Sequence, residues 1–252
     1  MAVINVTSEI GKLKKVLLHR PGKELLNLTP DKLDELLFDD IPFLKMAQKE
    51  HDAFADILSK NGVEVVYLED LAAEAVSQSA EIREKFIKQY INEADIYSEY
   101  YQKMIYDFLN AIKDPKELIL KTMEGVNANE IPFKNTHSLS HYVLDSGSMI
   151  INPMPNLYFT RDPFACIGNG VSLNKMYSVT RCRETIYGEY IFEHHPEYAG
   201  KVNRFYNRYD APSIEGGDIL NIGKDVLAIG LSQRTSANAI DSIANNIFYN
   251  SD

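Results

Sequence analysis

The chain has 252 residues, of which 45% are hydrophobic and 25% are charged, and this composition is typical of a soluble globular protein with one large domain or two small ones. Its formal net charge of -10 argues against nucleic acid or an anionic membrane surface as the main partner, because both attract basic patches. A small cationic ligand suits this charge. No apolar run approaches the ~20 residues of a membrane helix, and the first residues lack a signal-peptide pattern, so we expect a cytoplasmic location.

The first 70 residues contain the pattern of a strand, a helix and a second strand. Residues 16–19 (VLLH) form an apolar run that stops at a proline and a glycine, which predicts a strand. Thr29 and Pro30 are typical of a helix N-cap and a first helical residue. Apolar residues then recur at helical spacing over residues 44–60, and NGVEVVYL follows as a helix stop and a second strand.

A long helical segment comes next. Residues 71–125 contain almost no glycine or proline and keep a helical apolar period, which predicts three or four inserted helices. The following NANEIPFKNTHSLSHY is interpreted as a loop that leads back out. The aromatic residues of the helical segment are expected to form core and docking surface rather than a cofactor site: Phe86, Tyr90, Tyr97, Tyr101 and Phe108.

The remainder of the chain alternates strands and helices again. Short strands follow Met149, with helices near residues 183–194 and 236–248, so the chain is predicted to be α/β. Its two cysteines, Cys166 and Cys182, match no zinc motif and are expected to be buried or half-buried thiols. The adjacent histidines of EHHPE are interpreted as a helix end rather than a metal site. We predict neither a metal nor a cofactor.

The second half contains an internal repeat of acid and arginine. Asp162 is followed nineteen residues later by Arg181, and Glu215 is followed nineteen residues later by Arg234. Two short apolar runs joined by a glycine turn lie between the members of each pair, and each arginine immediately precedes a predicted helix. The two segments therefore resemble copies of one strand, strand, helix unit.

Two interpretations of these charged residues are open. Single acids and arginines in a chain this rich in charge are most often surface residues. If the two units are instead related by rotation, the two carboxylates meet at one level and the two guanidinium groups at another. Such a site fits a ligand with a cationic end and a carboxylate end. The glycines and apolar flanks around Glu215 favour this second interpretation.

Several stretches resemble the arginine deiminases: ELLFDDIPF, MPNLYFTRDPF, MYSVTRCRET, EGGDIL and GLSQRTS. The resemblance runs from about residue 3 to the end of the chain and implies a pentein-type propeller of ββαβ units with an inserted helical bundle. About three of five units are expected here. Residues 1–70 would be a propeller unit, residues 71–145 the inserted helical domain, and residues 146–252 further propeller units.

The resemblance also implies a reaction, the hydrolysis of L-arginine to L-citrulline and ammonia without cofactor or metal. A cysteine thiolate attacks the guanidinium carbon, ammonia leaves, and water releases citrulline from the amidino-cysteine while a histidine moves the protons. Asp162 would hold the guanidinium group, and Glu215 would orient the histidine. Substrate contacts are implied for Leu37 and Asn156 (α-amino end), Phe159 (methylene chain), and Arg181 and Arg234 (carboxylate). Agmatine is disfavoured because it lacks the carboxylate.

One part of the family pattern is missing. The arginine deiminases carry a His-x-Asp-Thr segment and a nucleophilic cysteine in a His-Cys stretch near the C-terminus, and neither occurs here. The six histidines, His137 and His141 among them, lie in other contexts. Cys182, between Arg181 and Arg183, is the less favoured alternative, as a thiol whose pKa is lowered by its neighbours.

Two functional interpretations follow from this difference. In the first, the chain is the larger part of an arginine-hydrolysing enzyme and needs a C-terminal half for turnover. In the second, it is a non-catalytic truncated paralogue or fragment that binds arginine or a partner chain. An incomplete ring leaves strand edges uncovered, so we expect self-association or completion by the C-terminal half of a longer chain.

Overall fold

The computed structural model of the chain describes residues 3–132 and 147–249. In these residues the protein is a mixed α/β structure built on small sheets, which confirms the predicted class. The strands are β1 Lys15–Leu18, β2 Glu64–Tyr67, β3 Val126–Asn127, β4 Met149–Ile151, β5 Phe164–Ile167, β6 Gly170–Leu173, β7 Asn203–Tyr206, β8 Ile219–Gly223 and β9 Val226–Ile229. The α-helices are α1 Leu33–Leu36, α2 Leu44–Lys60, α3 Leu68–Val76, α4 Ala80–Asn92, α5 Glu99–Ala111, α6 Pro115–Glu124, α7 Val179–Cys182, α8 Ile186–His194 and α9 Ala237–Tyr249.

The N-terminal unit is a parallel strand pair joined by a helix. β1 pairs in parallel with β2, with Lys15 opposite Glu64, and α2 forms the connection. The prediction of a helix over residues 44–60 is confirmed at both ends. α2 ends at Lys60 with Asn61 as its C-cap, and Gly62 adopts a φ of 79° that glycine reaches without steric cost. Thr29 and Pro30 begin a short 3-10 helix instead of an α-helix.

The predicted helical segment consists of four helices, α3 to α6. α3 begins at Leu68 directly after β2. Ser79 caps α4 by accepting a hydrogen bond from the backbone nitrogen of Ile82, and Asp114 caps α6, whose first residue is Pro115. Such caps satisfy backbone donors that the first turn leaves unpaired.

The helical segment and the later α/β part share one core. Phe86 on α4 is fully buried, and its ring centroid lies 5.1 Å from that of Tyr190 and 6.2 Å from that of Tyr187, both on α8. Among the predicted core aromatics, Tyr90 and Tyr101 are buried as well, whereas Tyr97 is 88% exposed. Tyr97 lies in the turn between α4 and α5, where the helical period no longer determines which side chains face the core.

The segment after α6 differs in part from the predicted loop. β3 pairs antiparallel with β4, and residues 128–130 form a 3-10 turn with a capping box from Asn127 and Glu130. This strand of two residues is too short to produce a sequence period. Residues 133–146, with His137 and His141, lie outside the described residues.

The predicted repeat of strand, strand and helix is confirmed. β5 and β6 are antiparallel, α8 follows, and β7 returns parallel to β6. β8 and β9 are likewise antiparallel and are followed by α9. The first copy is thus a ββαβ unit. None of the helices in the described ranges is long and apolar enough to cross a membrane.

Replacing Phe86 with alanine should lower the free energy of unfolding by about 3–5 kcal/mol, because a buried ring is removed where α4 meets α8. The matched control is Phe54→Ala on α2, where the ring is 52% exposed and a change within about 0.5 kcal/mol is expected. Urea unfolding followed by circular dichroism measures both. Equal losses in the two variants would contradict a core shared by the helical segment and α8.

Candidate functional site

Asp162 lies in the loop that enters β5, and neighbouring backbone and side-chain groups hold this loop. The backbone nitrogen of Asp162 donates to the carbonyl of Phe159 at 3.2 Å, and Asn174 Nδ2 donates to the carbonyl of Asp162 at 2.7 Å. The Asp162 side chain is only 24% exposed. The neighbouring Arg161 points elsewhere and donates to Glu9 and to the carbonyl of Gly216.

Glu215 is the buried acid of the second unit. It is 4% exposed, and its Oε1 accepts a hydrogen bond from the backbone nitrogen of Tyr177 at 3.1 Å. Burial raises the pKa of Glu215, because the charged carboxylate loses solvent. The carboxylate of Asp162 acts in the same direction.

The glycines after Glu215 allow the two acid-bearing loops to meet. The backbone nitrogen of Gly216 donates to the carbonyl of Asp162 at 3.2 Å. A Cβ on Gly216 would overlap the carbonyl oxygen of Arg161, and one on Gly217 would lie 3.3 Å from Asp162 Oδ1. Any other residue at position 216 would push the loops apart, so this glycine is required by the close approach.

Arg181, on α7, is 7% exposed and binds the first acid. Its Nη1 donates to Asp162 Oδ2 at 2.9 Å, and its Nε donates to Glu184 Oε2 at 2.9 Å. Its Nη2 donates to the carbonyl of Asn156 at 3.4 Å. The guanidinium carbon lies 6.0 Å from the ring centroid of Phe159, a distance at which a cation and an aromatic face attract each other.

Arg234 lies beside the second acid but is mostly in solvent. Its Nε is 3.5 Å from Glu215 Oε2, and its side chain is 64% exposed. The expected separation into a carboxylate level and a guanidinium level is therefore not observed, because each arginine contacts the acid of its own unit. Two adjacent buried carboxylates repel each other, and a guanidinium beside each one lowers this cost.

The three remaining predicted site residues, Asn156, Leu37 and Phe159, differ in burial. Asn156 is buried, and its Nδ2 donates to the carbonyl of Leu36 at 2.8 Å, which brings the end of α1 to the site. Leu37 follows with a φ of 61° and is 51% exposed. Phe159 is 45% exposed, and its ring centroid lies 4.0 Å from that of Tyr158.

Glu184 is a member of the cluster that the sequence reasoning missed. It is 2% exposed, and its Oε2 contacts both Nε and Nη2 of Arg181 at 2.9 Å. Burial, opposed by Arg181 and assisted by Asp162 and Glu215, raises the pKa of Glu184 to about 7. The spacing of Arg181 and Glu184, three residues apart in RCRET, is the signal that places two side chains on one helix face.

The thiols do not have the properties of a nucleophile. Cys166 and Cys182 are free and half-buried, as predicted, and burial raises the pKa of Cys166 to about 11. The less favoured alternative, a lowered pKa of Cys182, is not supported, because burial raises that pKa. The charge of Arg181 is directed to Asp162 and Glu184, so it does not stabilise a thiolate at Cys182.

No histidine of the described ranges contacts Asp162 or Glu215. His19 is buried between Glu69, 2.8 Å from its Nδ1, and Glu24, 3.2 Å from its Nε2. Burial opposes the charged ring, but the two carboxylates outweigh it and raise the pKa of His19 to about 9. His195, at the end of α8 as predicted, lies 2.9 Å from Glu74 Oε2.

The cluster thus contains three carboxylates and two guanidinium groups around Asn156 and Phe159, an arrangement that fits a small ligand with charged ends. A family model described as arginine deiminase matches residues 34–252, and the chain belongs to that family. An arginine deiminase of Treponema denticola is 99% identical over 250 residues, covering 99% of this chain and 61% of that protein. Those of Streptococcus agalactiae serotype Ia and Streptococcus sanguinis are each 59% identical over 247 residues, covering 97% of this chain and 60% of each relative.

The chain therefore spans about 60% of the length of these relatives. Among the predicted residues, Asp162, Arg181, Asn156 and Phe159 are joined by direct contacts. Glu215 and Arg234 form a second pair beside them. Leu37 is connected through its neighbour in the chain only.

The raised pKa of Glu184 predicts a pH-dependent cost of folding. The folded protein keeps this proton up to about pH 7, whereas an unfolded glutamate loses it near 4.5, so stability should fall as the pH rises between these values. We expect the difference between the free energies of unfolding of the wild-type chain and of Glu184→Gln to change with pH. This difference should fall by about 2 kcal/mol between pH 5 and pH 8. Glu99→Gln on the exposed start of α5 is the control. A difference that does not change with pH would mean that Glu184 is ionised throughout.

Proposed function

We propose that the chain carries the arginine-binding part of a site that hydrolyses L-arginine to L-citrulline and ammonia. The observation that carries this proposal is the pairing of two acids from two repeated units, Asp162 and Glu215, with two arginines, Arg181 and Arg234, in one mostly buried cluster. The names of the relatives support the same activity.

Binding would exchange internal ion pairs for pairs with the substrate. The guanidinium group of L-arginine, planar and rich in donors, would bind the carboxylates of Asp162 and Glu215. Its carboxylate would then bind Arg181 and Arg234, which release their acids to the substrate. Because the cluster holds three carboxylates and two guanidinium groups, an added cation improves its charge balance and a neutral ligand does not.

The remaining contacts would set the length and orientation of the substrate. Phe159, with nearly half of its ring exposed, offers an apolar wall to the methylene chain. The side chain of Asn156 already uses Nδ2 on Leu36, which leaves its amide oxygen for an ammonium group. The carbonyl of Leu37, at a left-handed helix end, would be a second acceptor for the α-amino group.

Asp162 and Glu215 would grip the guanidinium group for attack by a cysteine thiolate, with Glu215 also holding the general-acid histidine. The pKa values of Cys166 and Cys182 are both raised, which argues against either as that nucleophile at neutral pH. We infer that the nucleophile and the histidine come from outside the described residues and that this chain alone turns over no substrate. No cofactor enters this scheme.

The proposed architecture is a pentein-type propeller, of which the observed ββαβ unit is the repeating element. Residues 1–70 would form one unit, residues 71–145 the inserted helical domain, and residues 146–252 further units, with the ring incomplete at about three of five units. Association with another copy or with a C-terminal half would cover the open edges. We propose a cytoplasmic location, where arginine is available as a metabolite.

The proposed contacts separate two variants by ligand. Asp162→Asn should weaken binding of both L-arginine and agmatine by about tenfold or more, because both ligands present a guanidinium group to that carboxylate. Arg234→Gln should weaken only L-arginine by about tenfold, since agmatine has no carboxylate. Titration calorimetry with the full chain measures each affinity.

Exposed residues away from the cluster provide the controls. Asp225→Asn, in the turn between β8 and β9, and Arg204→Gln, whose partner is Glu193, should leave both affinities unchanged. If Arg234→Gln affected L-arginine and agmatine equally, Arg234 would not be the carboxylate partner.

Citrulline release tests whether the chain is catalytic by itself. The purified chain should release none from L-arginine at neutral pH while still binding it, and the arginine deiminase of Treponema denticola serves as the positive control. Release by the chain alone, lost on Cys182→Ser, would show that our assignment of the nucleophile is wrong. Failure to bind L-arginine would favour a fragment that recognises a partner chain.

A further inference from the structure

A cavity lies against the segment that carries Arg181. It has a volume of about 590 Å³ and is lined by the end of α4, by residues around β4 and by residues 174–185. Lys175, Cys182 and Arg183 line this cavity, whereas Arg181 of the same segment binds Asp162. None of the seven proposed arginine-site residues lines it, so the cavity is separate from the cluster described above.

Most charges on the wall of this cavity are already neutralised. Lys32 lies 2.6 Å from Glu35, and Arg208 lies 2.6 Å from Glu93. Arg208 has a further carboxylate partner in Glu189, at 2.6 Å. These pairs leave no charge available for a ligand without breaking a short ion pair.

Two cations on the wall are different. Neither Lys175 nor Arg183 has a carboxylate within 4.0 Å in the described part of the chain. Both side chains are half-buried, so solvent compensates their charges only in part. The ammonium group of Lys175 lies near the thiol of Cys182 and acts to lower its pKa against the stronger effect of burial.

Arg183 is held in place and still has free donors. Its Nη1 donates to the carbonyl of Asn152 at 3.3 Å, and its guanidinium carbon lies 5.0 Å from the ring centroid of Tyr90. Its Nε and Nη2 are buried without a hydrogen bond to any described residue. These two nitrogens lie below the surface, so Arg183 offers the cavity the positive charge of a fixed guanidinium group rather than these donors.

Apolar side chains form part of the remaining wall, together with polar side chains such as Asn152 and Thr180. Met149, Met176 and Val179 line the cavity, and its volume lies within the range of about 300–1,000 Å³ found for small-molecule sites. Asp95 also lines it and disfavours an anion beside it. We therefore assign the negative group of a ligand to Lys175 and Arg183, the lining cations without a carboxylate partner in the described residues.

We propose that this cavity binds a small organic anion, whose carboxylate or phosphate group contacts Lys175 and Arg183 and whose body packs on Met149 and Met176. The site prefers a net negative ligand, in contrast to the acidic cluster around Asp162 and Glu215. The proposal does not depend on binding or hydrolysis of arginine.

The test uses two probes, inorganic phosphate and acetate, added to the full chain at constant ionic strength. In protein labelled with ¹³C at the methionine methyl groups, the Met149 and Met176 signals should shift saturably with a Kd below about 10 mM for at least one probe. Met46, exposed on α2, is the internal control and should not shift. A response to phosphate alone would indicate a phosphorylated ligand, and an equal or stronger response to acetate would indicate a carboxylate.

A variant pair gives the second measurement. Lys175→Gln should weaken binding of the responding probe by about tenfold, while Lys224→Gln, in the exposed β8–β9 turn, should leave it unchanged. If Lys175→Gln does not fold, saturable shifts of the Met149 and Met176 signals in the wild-type chain still test binding of the probe. Linear, unsaturable shifts at Met149 and Met176, or equal affinities of the two variants, would overturn the proposal.

Discussion

The site depends on one buried cation, Arg181. A guanidinium group that is 7% exposed cannot remain without partners, because removing one member of a buried ion pair costs about 3–5 kcal/mol. Its partners come from three places: the loop before β5 through Asp162, the 3-10 turn Arg183–Thr185 after α7 through Glu184, and the 3-10 turn Pro155–Tyr158 through the carbonyl of Asn156. Satisfying this one charge therefore fixes three segments relative to one another.

The same requirement explains why an acidic cluster is stable in the folded chain. Burial is the largest cause that raises the pKa values of Glu184 and Glu215; the carboxylate of Asp162 adds to both shifts, and that of Glu215 adds to the shift of Glu184. Two arginines neutralise most of the negative charge of the three carboxylates. The remaining negative charge is removed when Glu184 keeps its proton, or it is balanced by an added cation. A guanidinium ligand would thus take over a role that Glu184 otherwise fills by protonation.

The sequence predicted the elements with a clear period, and most of its candidate site residues lie in one cluster, but it did not predict how they pair. The helix over residues 44–60 was predictable at both ends because its amphipathic period is long and Gly62 ends it. The spacing of Asp162 with Arg181 reflects a repeat that the strands confirm. A sequence repeat shows which positions of the two units are equivalent, but it does not show which side chains contact each other. In the folded chain each arginine pairs with the acid of its own unit. The contact of Glu184 with Arg181 became visible only in the structure.

The charges that flank Cys182 in the sequence are a wrong indication of its pKa, because burial raises this pKa. Two flanking arginines suggested a reactive Cys182, yet both guanidinium groups are directed away to Asp162 and Glu184 on one side and to Asn152 and Tyr90 on the other. Sequence neighbours on a helix point in different directions, so adjacency in the chain says little about the field at a thiol.

The helical segment is connected to the turn beside Arg181 through Arg208. Arg208 binds Glu93 at the end of α4 and Glu189 on α8, and it also donates to Thr185 Oγ1 and to the carbonyl of Cys182. These last two groups flank Glu184 in the chain. Arg208 therefore connects α4, through an ion pair, to the turn beside Arg181, through hydrogen bonds. Because a buried network of this kind is stable only when all of its members are satisfied, displacing α4 would unpair Arg208 and loosen the turn that holds Glu184. The helices α3 to α6 thus support the geometry of the site, and none of their described residues is a member of the cluster.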